Sequence, residues 1–169
     1  MAIVKANAYG HGAEKVAYRA MESGASHLGV ALPEEGAELR EKGISIPILV
    51  LGEIDAEQCA TVLQYGLTQA VPSLAMAHCL NQVAERTGQK AKVHLKLDTG
   101  MGRIGFRNLE ELQAAAIELK DMRNLSIEGV FTHFASADEG DPSFTREQIK
   151  KFNRMIQLNF LICSRVKDG

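Results

Sequence analysis

Ala2-Ile3-Val4-Lys5-Ala6-Asn7-Ala8-Tyr9-Gly10-His11-Gly12 opens the chain with a short apolar run, a lysine and a glycine-rich segment leading to a helix that starts near Ala13. The apolar run reads as a strand over Ala2–Ala6, with Lys5 near its carboxyl end. Further short apolar or β-branched runs follow at Leu28–Ala31, Ile48–Leu51, Gln69–Val71, Lys92–Leu97 and Ser126–Phe131. Helical punctuation separates them. Gly24, Gly43 and Gly66 stand where a glycine ends a helix, and Pro33 stands where a proline begins one. Ser73, Asn108 and Thr145 precede apolar residues at helical spacing, the last two with Glu111 and Gln148 three positions on, so all three read as amino-terminal caps.

Strands alternating with helices imply βαβ units and a parallel sheet. Two architectures satisfy that alternation, an open doubly wound sheet and a (β/α)8 barrel. The barrel ordinarily takes about 250 residues, whereas this chain has 169. In both, the carboxyl ends of the strands face the site, which puts Lys5 where an amine can condense with an aldehyde.

Composition narrows the partners. Lys plus Arg is 19 and Asp plus Glu is 21, a formal net charge of -2 that removes the electrostatic case for nucleic acid or an anionic membrane. Cys59, Cys79 and Cys163 are too few and too scattered for a disulfide framework or a zinc motif, which points to a reducing, cytoplasmic setting. The histidines show no metal-ligand pairing, His78 reads as a helix-surface residue, and no metal is expected. The apolar run Met1–Val4 matches neither a signal peptide nor a spanning helix.

A second glycine-rich stretch, Asp98-Thr99-Gly100-Met101-Gly102-Arg103-Ile104-Gly105-Phe106, follows the fifth strand and contains G-x-G-x-x-G. Alone, that pattern suggests a dinucleotide site. The acid expected at the end of the following strand is missing, and the next helix, capped at Asn108, starts late for a pyrophosphate site.

Val4–Gly12 resembles the pyridoxal-phosphate attachment motif of alanine racemases, and Asp98–Phe106 resembles their second signature. The resemblance covers the chain to about Ile156 and implies the barrel: a partial (β/α)8 TIM-type α/β fold with about six parallel strands. The expected division is an incomplete barrel over 1–157 and a divergent tail over 158–169, truncated at both ends and without the family's carboxyl-terminal β domain. An unclosed barrel of this kind leaves edge strands and apolar faces uncovered.

The same resemblance implies the chemistry. Lys5 forms a Schiff base with pyridoxal 5'-phosphate and then acts as the base that takes the α-proton of D-alanine. Tyr9 approaches the cofactor phosphate. Arg103 contacts the cofactor's phenolic oxygen and the substrate carboxylate, and His133 lies beside the pyridine ring. Lys96 corresponds to a lysine that many members carbamylate; by pattern alone, Lys92, His94 and Lys96 form one polar face of a strand. The implied function is interconversion of L- and D-alanine for peptidoglycan by a homodimer, weak or absent in a chain lacking the β domain and its second base. Serine and other small amino acids share this chemistry. Two alternatives stay open: a noncatalytic pyridoxal-phosphate-binding module, and a nicotinamide-dependent oxidoreductase using the Gly100 loop.

Overall fold

The computed structural model describes residues 1–163, with side chains through Gln157. Six strands run in order, β1 Ala2–Ile3, β2 Leu28–Val30, β3 Ile48–Val50, β4 Thr68–Val71, β5 Ala91–Lys96 and β6 Leu125–Phe131. Between and after them lie α1 Ala13–Glu22, α2 Pro33–Glu41, α3 Ala56–Gln64, α4 Leu74–Thr87, α5 Leu109–Leu119 and α6 Ser143–Cys163. Each strand pairs in parallel with the next, giving one open sheet of order β1-β2-β3-β4-β5-β6. A doubly wound sheet reverses its strand order at a switch point, and this one does not. The sheet is therefore an arc of a barrel wall.

The alternation of side chains explains the layering. Ala91, Val93 and Leu95 of β5 are buried in one apolar layer with Val62 of α3, Leu80 of α4 and Leu112 of α5. Lys92, His94 and Lys96 point to the opposite, concave face, where a Cβ at Gly129 of β6 would lie 2.8 Å from the His94 ring. A polar face toward the barrel interior is what the sequence pattern allows for those three residues.

The helix ends follow their caps. Ser73 accepts the Met76 N–H at 3.3 Å, and Asn108 accepts that of Glu111 at 2.8 Å. Gly24, Gly43 and Gly66 adopt φ of 91, 82 and 58°, the left-handed region in which glycine ends a helix at no steric cost. The expected cap at Thr145 is not formed. The sixth helix begins at Ser143, whose N–H and hydroxyl donate to Asp141, while Gln148 is buried and accepts the Ala135 N–H. The spacing predicts Gln148 as a partner for the helix end; the structure uses it to pin the loop after β6. The same helix runs through position 157 to Cys163, so the expected tail 158–169 is described only in part, as backbone.

Strand β1 is shorter than expected. Its ladder continues one bond past Ile3, where the Val4 N–H donates to Gly29 at 2.8 Å. The chain then leaves the extended region, because Ala6, Asn7, Ala8 and Tyr9 have φ of 50, 52, 52 and 54°. These four form a single left-handed helical turn. Such a conformation costs roughly 1–2 kcal/mol per non-glycine residue.

Cys59 and Cys79, scattered in sequence, meet as thiols across α3 and α4 with sulfurs 3.7 Å apart. Burial first, then contact with Cys79, pushes the Cys59 thiol up to about 12. Cys163 lies beyond the described side chains. Among the described residues no helix is long and apolar enough to cross a membrane, and no cluster of His, Cys, Asp or Glu is placed to hold a metal.

The closing loop after β5 sets a sharp test. A Cβ at Gly105, where φ is 119°, would lie 2.7 Å from the Lys96 carbonyl oxygen, whereas at Gly88, φ 65°, it would meet nothing within 4 Å. Gly105→Ala should destabilise the chain by about 2–4 kcal/mol and Gly88→Ala by about 1 kcal/mol. Urea unfolding midpoints at constant slope measure both; equal shifts would mean the loop adapts freely.

Candidate active site

Two loops carry the candidate site residues Lys5 and Arg103, one after β1 and one after β5. In the first, Lys5 is half-buried where the left-handed turn begins, and its Nζ lies 5.8 Å from the centre of the Tyr9 ring. The turn is held from several sides. The Ala8 N–H donates to Val4 at 2.9 Å, the Gly10 N–H to Ala6 at 3.1 Å and the Gly12 N–H to Asn7 at 3.0 Å. The Asn7 side chain accepts the Ala13 N–H at 2.7 Å and so caps α1, and Ala8 is buried in the apolar layer. Asparagine tolerates the left-handed region; Ala6, Ala8 and Tyr9 are held in it by these contacts. Gly10 and Gly12, with φ of 87 and 92°, continue the turn into the helix.

In the second loop the chain leaves β5 at Lys96 and returns beside it. Asp98 N–H donates to Phe106 and Phe106 N–H to Lys96, closing a tight excursion over residues 98–106. Asp98 organises its interior: Oδ1 accepts the N–H groups of Gly100 and Gly102, both at 3.0 Å. Burial opposes ionisation of Asp98, but those amides and the nearby Lys96 charge outweigh it and hold the carboxyl below its usual range. The glycine amides thus point inward to a carboxylate. They are spent as phosphate donors, which removes the basis of the dinucleotide reading.

Lys96 is buried, and its Nζ donates to the Leu97 carbonyl at 2.7 Å while lying 5.6 Å from the centre of the Phe131 ring. Burial lowers its pKa, Asp98 opposes that, and Arg103 adds to it. A buried ammonium served by one carbonyl is an expensive arrangement. Next to it, the Thr132 hydroxyl donates to Leu97 at 2.9 Å and meets the Thr99 hydroxyl at 2.8 Å, tying the end of β6 to the β5 loop.

His133 follows directly and is exposed. Its pKa is lowered by partial burial, then by Arg103, Lys96 and Lys5 in that order. Three cations, Arg103, Lys96 and Lys5, thus bear on His133 at the carboxyl end of the sheet. Arg103 is exposed at the crest of its loop. Among the described residues neither Lys5, Lys96 nor Arg103 makes an ion pair within 4.0 Å. Tyr9, 63% exposed, extends over the same end. A cleft of about 380 Å³ is lined by Glu53, Ser73, Arg103 and Arg107 and does not include Lys5 or His133.

Sequence reading passed over the residues that hold these side chains in place. Asp98 stood in the quoted motif without a role, although Asp-x-Gly-x-Gly is the signature of a carboxylate turning back on its own loop. Thr99, Phe131 and Thr132 gave no sequence signal, since their partners come from neighbouring strands.

The family model of the alanine racemase N-terminal domain matches residues 1–160. An alanine racemase of Desulforamulus reducens is 48% identical over 161 residues, which cover 95% of this chain and 43% of that protein. Among solved structures, alanine racemase of Clostridium difficile 630 superposes with a TM-score of 0.88 at 41% identity, covering 92% of this chain and 41% of that one. A histidine racemase from Leuconostoc mesenteroides subsp. sake superposes with a TM-score of 0.86 at 34% identity, covering 92% and 42%. The chain spans about two fifths of the length of these relatives. With both glycine-rich loops inside the matched span, the chain belongs to the alanine racemase N-terminal domain family.

Proposed function

We propose that this chain supplies the cofactor-binding half of an alanine racemase site, with pyridoxal 5'-phosphate held at Lys5. The observation that carries this reading is the gathering of Lys5, Arg103 and Lys96 around His133 at one end of the sheet with no ion pair among the described residues to satisfy them. A phosphate and a phenolate are the counter-charges such a set lacks, so the donor chemistry fits the cofactor. What the cofactor supplies when bound is a ring that takes up the electron pair left at Cα, which makes a weakly acidic C–H removable near neutral pH.

The residues divide the work. The Lys5 amine holds the cofactor and, once the substrate amine takes its place, removes the Cα proton of D-alanine. Arg103 clamps the substrate carboxylate with its planar fork and fixes which bond at Cα breaks. Tyr9 donates its hydroxyl hydrogen to the phosphate, and His133, whose pKa is lowered by partial burial and by the cations around it, packs against the ring. Lys96 is carbamylated: its neutral amine adds carbon dioxide, releases a proton and becomes an anion that orients Arg103. The lowered pKa and the lack of an acid partner favour that reaction. Homodimer assembly, a cytoplasmic setting and D-alanine supply for peptidoglycan belong to the same proposal. The neighbour named a histidine racemase, at TM-score 0.86, supports keeping side-chain specificity open, and the alternative substrates are serine and other small amino acids.

Adding pyridoxal phosphate should produce a visible absorbance band that borohydride locks onto the peptide bearing Lys5. Lys5→Ala should abolish it, and a band of equal strength in that variant would defeat the reading. Circular dichroism of alanine incubated with the loaded protein separates a racemase from a noncatalytic cofactor-binding module, which would give the band without turnover. In the racemase case Arg103→Lys, which keeps the charge and loses the fork, should lower kcat/KM roughly ten- to hundredfold.

Carbamylation has its own measurement. Carbon-13 bicarbonate should give a carbamate resonance in the native chain and none in Lys96→Met. Only the neutral amine reacts, so the signal should grow as pH rises through neutrality. A resonance that persists in Lys96→Met would assign it elsewhere.

A further inference from the structure

The left-handed turn after Lys5 is the costliest backbone in the described chain, and part of what holds it comes from another βα unit. Glu35, in the first turn of α2, extends its carboxylate across to the Lys5 loop. Its Oε1 accepts the Ala6 N–H at 2.5 Å, while Oε2 accepts the N–H groups of Ala31 at 2.7 Å and Leu32 at 3.2 Å. The geometry points to Glu35 as the positioning residue of the Lys5 turn, a carboxylate clamp joining the residue after Lys5 to the end of β2 and the start of α2.

Three features support this. Ala6 is the first residue of the turn with positive φ, so a bond to its N–H fixes where the chain departs from the strand and hence where the Lys5 stem points. The two carboxylate oxygens divide between segments, one to the Lys5 loop and one to the α2 entry, which a helix cap acting alone would not do. The second oxygen is anchored on a rigid base: Ala31 also accepts the Gly52 N–H from the β3 loop at 3.1 Å, and Pro33 is buried at the helix start. Glutamate has the reach and the two acceptors this demands. Aspartate at the same position keeps an anion at the helix amino terminus but loses a methylene of reach to Ala6. Glutamine keeps the reach and has a single acceptor oxygen.

This inference deepens the proposed function in that it assigns the presentation of the Lys5 amine to Glu35, and it is tested first without any cofactor. In the full chain, Glu35→Asp and Glu35→Ala should speed amide hydrogen exchange in the peptide spanning Val4–Tyr9 by roughly tenfold or more, with α4 unchanged. Glu35→Asp should leave the thermal midpoint near that of the native chain, which separates loosening of the turn from loss of α2. Unchanged exchange of the turn in both variants overturns the inference. Pyridoxal phosphate is then titrated: Glu35→Asp should need roughly tenfold more of it to reach half of the Lys5-dependent band, with Glu35→Gln between it and the native chain. Faster exchange with a band of native affinity also overturns the inference, because the turn would not be placing the amine. A native chain with no Lys5-dependent band defeats the cofactor reading alone; the clamp then stands or falls on the exchange result.

Discussion

One apolar layer sets the position of everything else. Side chains of all six strands enter it or pack against it beneath the helices, from Ala2 at the first strand to Leu125, Ile127 and Val130 at the sixth. Because the strands are parallel and ordered, filling that layer forces every carboxyl end to the same edge and every second side chain onto the concave face. Lys96 reaches the concave face by this alternation, and Arg103 and His133 reach the edge because their loops begin there.

The two loops at that edge are built by the same device. Each carries a segment whose backbone does not hold its shape through regular ladder bonds, and each is held by a carboxylate that collects N–H groups. Asp98 gathers Gly100 and Gly102 inside the Arg103 loop, and Glu35 gathers Ala6, Ala31 and Leu32 around the Lys5 loop. Charged acceptors bind amides more strongly than carbonyls do, which suits them to strained or glycine-rich backbone. Placing those anions on amides also leaves Lys5, Lys96 and Arg103 without an anionic partner at ion-pair distance among the described residues. The positive character of the site follows from how its loops are stabilised.

The helix boundaries were largely legible because their signals are local. Ser73, Asn108 and Pro33 act within one turn of their own position, and the glycines at 24, 43 and 66 answer to the φ of a single residue. Thr145 shows the limit of that reading. Its cap pattern was sound in isolation, but Gln148 found a better partner in Ala135, across the loop, and burial there outweighed a solvent-exposed cap. The left-handed turn was illegible for a related reason. Alanine and tyrosine do not choose positive φ by themselves, so nothing in Ala6-Asn7-Ala8-Tyr9 announces it except the asparagine and the glycines that follow.

The sequence by itself determined the alternation of strands and helices, the polar alternate face of β5, and two glycine-rich motifs specific enough to name the family. Each of these depends on residues close together in the chain. Only the tertiary structure decided that the strands run in unbroken order, that the charges of Arg103, Lys96 and Lys5 bear on His133, and that Glu35 reaches a turn twenty-nine positions away. Those relations depend on the curvature of the sheet and on which loops it brings together, and no local propensity encodes a distance between segments that meet only after the apolar layer has closed.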